Sequence, residues 1–146
     1  MPKYHNLIVV FISMVLFLFA IAIYISSRTL DMKIYTWLGI NTNNLFFDYL
    51  QKHAILSFQW VKYNLPDGLW LLSYLLFIEG VWDSDKRMKF LFCVPIVAFA
   101  FILEILQYFE YFPGTGDRLD VLFYVVAILI FLLIIKLKQM YYEKNT

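Results

Sequence analysis

The sequence predicts an all-α integral membrane protein, with four transmembrane helices and an amphipathic interfacial helix between spans one and two. The first observation behind this is composition. Of 146 residues, 62% are hydrophobic and 21% aromatic, whereas an ordinary soluble domain is roughly 45–50% apolar. A soluble globule of this size still exposes much of its surface, so the excess calls for lipid as a second solvent. The second is a mean hydropathy of +0.71. The third is that the apolar residues gather into runs of helix-spanning length, bounded by polar and charged segments. Lys+Arg 12 against Asp+Glu 11 gives a formal charge of +1, which lacks the basic footprint of a nucleic-acid binder. Cys93 has no partner for an intramolecular disulfide and reads as a small buried hydrophobe.

The elements follow in order. Leu7 to Ile25 is interrupted only by Ser13 and Tyr24, about the length that crosses the ~30 Å hydrocarbon core as a helix. Lys3 and the small residues of Ala20-Ile21-Ala22 imitate a cleaved signal peptide. The run continues through Ile25, longer than a usual signal core, so it is expected to be retained as span one. Residues 26–64 are too polar to span and form an extracytoplasmic segment. Within it, Leu45, Tyr49, Leu50, His53, Leu56, Trp60 and Tyr63 fall at helical spacing. They predict an amphipathic helix over about Asn44–Tyr63, on the membrane surface or packed over the spans. Tyr35 to Leu38 suits the headgroup level, where amphipathic rings are favoured.

Span two is expected over about 65–82, with Asn64 as its N-cap, Pro66 in the first turn and Asp67 complementing the positive helix end. Glu79, near its far end, needs the interface or a partner. Asp83 to Lys89 reads as a tight charged loop. Span three covers about 88–109, with an irregularity at Pro95. A Pro113-Gly114 turn leads to span four, about 121–135, followed by a solvated basic tail from Lys136 to Thr146. The whole chain, 1–146, is one membrane domain. Lys3, Lys86, Arg87, Lys89, Lys136, Lys138 and Lys144 fall on one side of this arrangement, so the positive-inside rule places both termini in the cytoplasm.

The stretch that stands out is Glu104 to Asp120. Glu104 and Gln107 are three apart and share a helix face, and Arg118 and Asp120 open the next span. An ionisable group inside a span costs about 2.5–3.5 kcal/mol at the bilayer centre, so Glu104 is expected to point into the bundle toward a donor such as Arg118, with Gln107 adding amide donors. Asp67 and Tyr124 complete a polar cluster at the outer face: Asp67, Glu104, Gln107, Arg118, Asp120 and Tyr124. Three roles are open to it. It is interhelical glue, or a binding site for a polar headgroup or peptide-like ligand, or a catalytic site. Two carboxylates with an arginine suit acid–base work or a divalent cation. The sequence offers no nucleophile beside a base and no His/Cys ligand set, so no catalytic residue, metal or cofactor is assigned. His5 and His53 are isolated, and Gly114-Thr115-Gly116 reads as a turn.

A Glu-x-x-Gln pair late in span three, a glycine-containing loop with Arg and Asp, and an Asp opening span four resemble the VanZ-like family of small four-span bacterial membrane proteins. The matching residues are Glu104, Gln107, Gly114, Asp117, Arg118 and Asp120, and the similarity covers about Asn64–Ile135. Here the arginine follows the second glycine of the loop, not the first, and Tyr124 stands where many members place an asparagine. The resemblance implies a protein of the bacterial envelope, in the cytoplasmic membrane, without a defined reaction. The expected function is a binding or adaptor role at the outer face. The alternatives are an accessory subunit of a larger membrane complex, held through the aromatic 30–63 segment, and an intramembrane enzyme acting on lipid-linked substrates. Membrane lipids are the other expected partners.

Overall fold

The structure, a computed structural model, describes residues 3–27, 49, 58–112 and 116–144. Among them it is all-helical, with α1 over Lys3–Ser27, α2 over Gln59–Val81, α3 over Lys86–Tyr108 and α4 over Arg118–Lys144. Three stretches are long and apolar enough to cross a membrane, Asn6–Ser26, Lys86–Tyr108 and Arg118–Tyr141. Helix α2 has 23 residues, as α3 does, but Lys62, Asn64, Asp67 and Glu79 are spread along it and it is not one of the three.

Polar contacts at the two ends fix the topology. Asn6 near the start of α1 donates to Asp83 just beyond the end of α2, at 3.5 Å, so these helices are antiparallel. Asn64 near the start of α2 bonds Asp120 at the start of α4, and Lys138 late in α4 bonds Glu79 late in α2, so α2 and α4 run parallel. The helices therefore alternate in direction along the chain, and the start of α1 lies at the same end of the bundle as the end of α4. Helix α2 is the centre. Helices α1 and α4 pack closely on it, α3 rests lightly on α2 and α4, and α1 approaches neither α3 nor α4.

The core shows why. Leu71, Leu72, Leu75 and Leu76, at one- and four-residue spacing along α2, meet Ala100 of α3 and Tyr124 and Ala127 of α4, with Val9 and Leu16 of α1 against them. Small residues let neighbouring backbones close in. A Cβ on Gly80 would lie 2.7 Å from Val10 Cγ2 and 3.2 Å from the Asn6 carbonyl oxygen, which is the α1–α2 approach. A Cβ on Gly68 would lie 3.0 Å from both Cβ and the carbonyl oxygen of Phe123, which is the α2–α4 approach.

Several expected boundaries move. Asn64 does not cap α2. The helix begins at Gln59, and Pro66 lies inside it. The turn before the proline survives the loss of one backbone bond because it is held from outside: Trp60 packs against Phe123 at 6.3 Å, and the Asn64 side chain is bound to α4. Residues 59–63, expected to end the interfacial helix, are thus the first residues of α2. Phe58 just before them is extended, so the expected helix is interrupted there; its remaining residues, apart from helical Tyr49, lie outside the described residues, as do Tyr35 to Leu38 and the Pro113-Gly114 turn. Asp85, expected in a charged loop, is the N-cap of α3 and accepts from the Arg87 and Met88 amides, each at 3.0 Å. The end of α3 reverses before the proline. Glu110 adopts φ 61°, the Glu110 amide donates to the Gln107 carbonyl at 3.0 Å, and the Tyr111 amide donates to the Leu106 carbonyl at 2.9 Å. That is a Schellman closure with glutamate in the left-handed position glycine usually takes. Helix α4 runs through Lys144, so Lys136 to Lys144 are helical and continue span four. Leu137, Met140 and Tyr141 continue its apolar pattern, and Lys138 has buried partners at the end of α2.

The Gly68 approach is testable. Gly68→Val drives a branched side chain into the Phe123 backbone, and overpacking of this kind costs about 1–3 kcal/mol. Thermal unfolding in mild detergent should show that loss.

Candidate functional site

The polar groups divide between the two ends of the bundle. At one end the start of α4 is bound to the ends of two other helices. Asp117 caps α4, its Oδ1 accepting from the Leu119 amide at 2.9 Å. Asp120, in the first turn, adds a second negative charge where the helix dipole favours one. The Asn64 amide group of α2 donates to both, at 3.1 Å to Asp117 Oδ2 and 2.7 Å to Asp120 Oδ1. Glu104 of α3 is buried, and its Oε2 accepts from the Asp117 backbone N–H at 3.2 Å. Gly116 makes the close approach possible, since a Cβ there would sit 2.5 Å from the Tyr108 nitrogen.

Glu104 thus points into the bundle, as its cost in lipid requires, but its hydrogen bond comes from a backbone amide and not from Arg118. Arg118 is exposed, with its guanidinium carbon 6.0 Å from the centre of the Tyr108 ring, a cation–π contact. Gln107 is half-buried and engaged, yet lines neither of the two pockets at this end. Asn64 and Asp117 belong to this site but not to the cluster predicted from the sequence. Asn64 reads in sequence as the N-cap of span two, and Asp117 enters only among the residues that carry the family resemblance. The Asp117-x-x-Asp120 spacing just before an apolar run is itself a helix-start signature.

Tyr124 is the hinge of the site. It is buried, meets Phe101 edge-on at 5.9 Å, and has the carboxylates of Asp67, Glu104 and Asp120 close enough to act on it electrostatically. With Asp67 it also lines a pocket of about 440 Å³. Pro66, Asp67 and Trp70 of α2 form its floor. Phe17, Ala20, Ile21 and Tyr24 of α1 form one wall, and Phe99, Ala100 and Leu103 of α3 the other. The pocket exists because α1 and α3 both lean on α2 without approaching each other. A smaller pocket, about 200 Å³, lies outside Glu104 beneath Arg118 and Tyr108.

The opposite end holds a network missing from the sequence reading. Lys138 of α4 donates to Glu79 at 2.7 Å and also to Asp83, Lys89 of α3 donates to Glu79 at 2.8 Å, and Asn6 of α1 reaches Asp83. Every helix contributes a group. Glu79 finds its partner on the segment that looked like a solvated tail. Burial raises the Asp83 carboxyl, but the hydrogen bond and charge of Lys138, with Asn6 and Lys89 adding to them, hold it below its ordinary 3.8.

Among the described residues no group of three or more His, Cys, Asp or Glu side chains is placed to hold a metal ion. Comparison with protein families, with curated proteins and with solved structures finds no match.

Two outcomes follow. Asn64→Ala leaves two buried-side carboxylate oxygens without their donor, which costs about 1–3 kcal/mol, so unfolding of the detergent-solubilised protein should begin earlier while secondary structure is kept. The Asp83 contribution has a defined sign, because its native carboxyl titrates below the unfolded one. Stability from this group is complete above about 3.8 and is lost as pH falls through the lower native value. An acid titration of the unfolding temperature should show a fall that is smaller in Asp83→Asn.

Proposed function

We propose that this chain is a small VanZ-like polytopic protein of the bacterial cytoplasmic membrane with a non-catalytic binding or adaptor role. In this reading its site is the Asp67, Glu104, Gln107, Arg118, Asp120 and Tyr124 end of the bundle. It crosses the bilayer four times, with the termini and the lysine network on the cytoplasmic side and the carboxylates outside. Support for a fourth crossing comes from the position of α2. A helix enclosed by its neighbours needs no apolar surface of its own, and its Asn64 and Glu79 have partners on other helices. Support for the orientation comes from Lys86, Arg87, Lys136 and Lys144, all exposed at the lysine end.

One observation carries the binding role. Asp67 and Tyr124 open onto the 440 Å³ pocket, the concave and mostly apolar space with a few convergent polar groups that ligand sites share. Glu104, Asp117 and Asp120 are already committed to holding the start of α4. The cluster therefore divides into a tie, made by Asn64, Glu104, Asp117 and Asp120, and a ligand-facing pair, Asp67 and Tyr124. The tie keeps Tyr124 in place.

Native mass spectrometry from mild detergent tests this. The wild type is expected to carry a bound lipid-sized molecule that is lost in Asp67→Asn and Tyr124→Phe, while both variants keep the helical content of the wild type. An adduct retained in both variants overturns the reading. A stoichiometric protein partner released by neither favours the accessory-subunit alternative.

A further inference from the structure

The 440 Å³ pocket does not end at α1 and α3. A second pocket of about 210 Å³, lined by Ser13, Met14, Phe17, Trp70, Ser73, Tyr74 and Phe77, shares Phe17 and Trp70 with it. The two adjoin across these shared side chains, and their linings together follow α2 as a furrow from Asp67 to Phe77. Ten residues of helix advance about 15 Å, which is half of the ~30 Å hydrocarbon core, the depth of one leaflet. The furrow is apolar along its length, and Met14, Phe17 and Phe99 on its rim are exposed. At its head stand Asp67 and Tyr124, and the charges of Glu104 and Asp120 also act on Tyr124. Arg118 faces the neighbouring pocket and is absent from this lining. Carboxylate charge thus meets one end of a chain-shaped apolar slot.

Resting on the site reading above, we propose that the furrow seats one acyl chain of an amine-headed membrane lipid, with the ammonium group at Asp67 and the chain running past Trp70 toward Phe77. An ammonium donates hydrogen bonds and complements the carboxylates, whereas an anionic head would meet like charge. Ser13 and Ser73 place no unsatisfied hydroxyl against the chain, since each donates to a carbonyl of its own helix, at 2.6 and 2.7 Å.

Trp70 supplies the test. The full chain is reconstituted in phosphatidylcholine vesicles doped with bromo-acyl phosphatidylethanolamine or with bromo-acyl phosphatidylglycerol, and the quenching absent from Trp70→Phe is assigned to Trp70. Phosphatidylethanolamine is expected to saturate the quenching at a mole fraction about tenfold lower than phosphatidylglycerol, the scale of one charge-assisted hydrogen bond. Asp67→Asn should abolish that preference, and Asp67→Glu should keep it if the amide variant does not fold. With Phe77→Trp in the Trp70→Phe background, bromine at the chain end should quench best. Saturable quenching with no head preference overturns the amine assignment and leaves the site standing. Quenching that rises linearly with every labelled lipid, unchanged by Asp67→Asn, overturns the site as well.

Discussion

Lipid offers a polar side chain no partner, so each one that enters a helical bundle must be satisfied by another helix, and this requirement arranges the molecule around α2. Asn64 near its start and Glu79 near its end are both buried. Asn64 is satisfied only if the start of α4 comes to it, because its amide donors need the Asp117 and Asp120 carboxylates. Glu79 is satisfied by Lys138 and Lys89. These contacts fix α4 to α2 at both ends and set the two helices parallel. Glycines do the rest of the positioning, because Gly68 and Gly80 let α4 and α1 close on opposite stretches of α2.

Helix α3 is held differently. It has a capped start at Asp85, a Schellman closure at Glu110, and Glu104 hydrogen-bonded to the Asp117 amide, but it rests only lightly on its neighbours. Its position is therefore determined mainly from its ends. Between those anchors it leaves space against α1, and the pocket at Asp67 and Tyr124 occupies that space. The tie and the pocket are two results of one packing: bonds at the ends of the helices leave the middle of α3 free of α1.

Much of this was legible in the residues. Three of the four apolar runs are helices of spanning length, and the inward turn of Glu104 followed from the cost of a charge in lipid. What misled was local punctuation. Asn64-Leu65-Pro66-Asp67 has the features of a helix start, and only the α4 contacts, remote in sequence, explain why the helix begins earlier. Lys136 to Lys144 carries enough charge to look solvated, while the partners that fold Lys138 inward lie more than fifty residues away. Arg118 looked like the natural partner for Glu104 because cations attract carboxylates, yet the Asp117 backbone amide was nearer and stacking on Tyr108 took the guanidinium. Propensity reads neighbours along the chain, and each of these outcomes was decided by neighbours across it.

The distribution of charged side chains also gives the folded protein an electrical polarity. At the Asn64 end Asp67, Glu104, Glu110, Asp117 and Asp120 outnumber Lys62 and Arg118 among the described residues. At the opposite end Lys86, Arg87, Lys89, Lys136, Lys138 and Lys144 outnumber Glu79, Asp83, Asp85 and Glu143. The antiparallel α1 and α3 offset the backbone dipoles of α2 and α4, so the polarity is carried by side chains. Moving one elementary charge through a membrane potential is worth about 2.3 kcal/mol per 100 mV. The two ways of setting such a charge pattern across an energised membrane therefore differ in free energy.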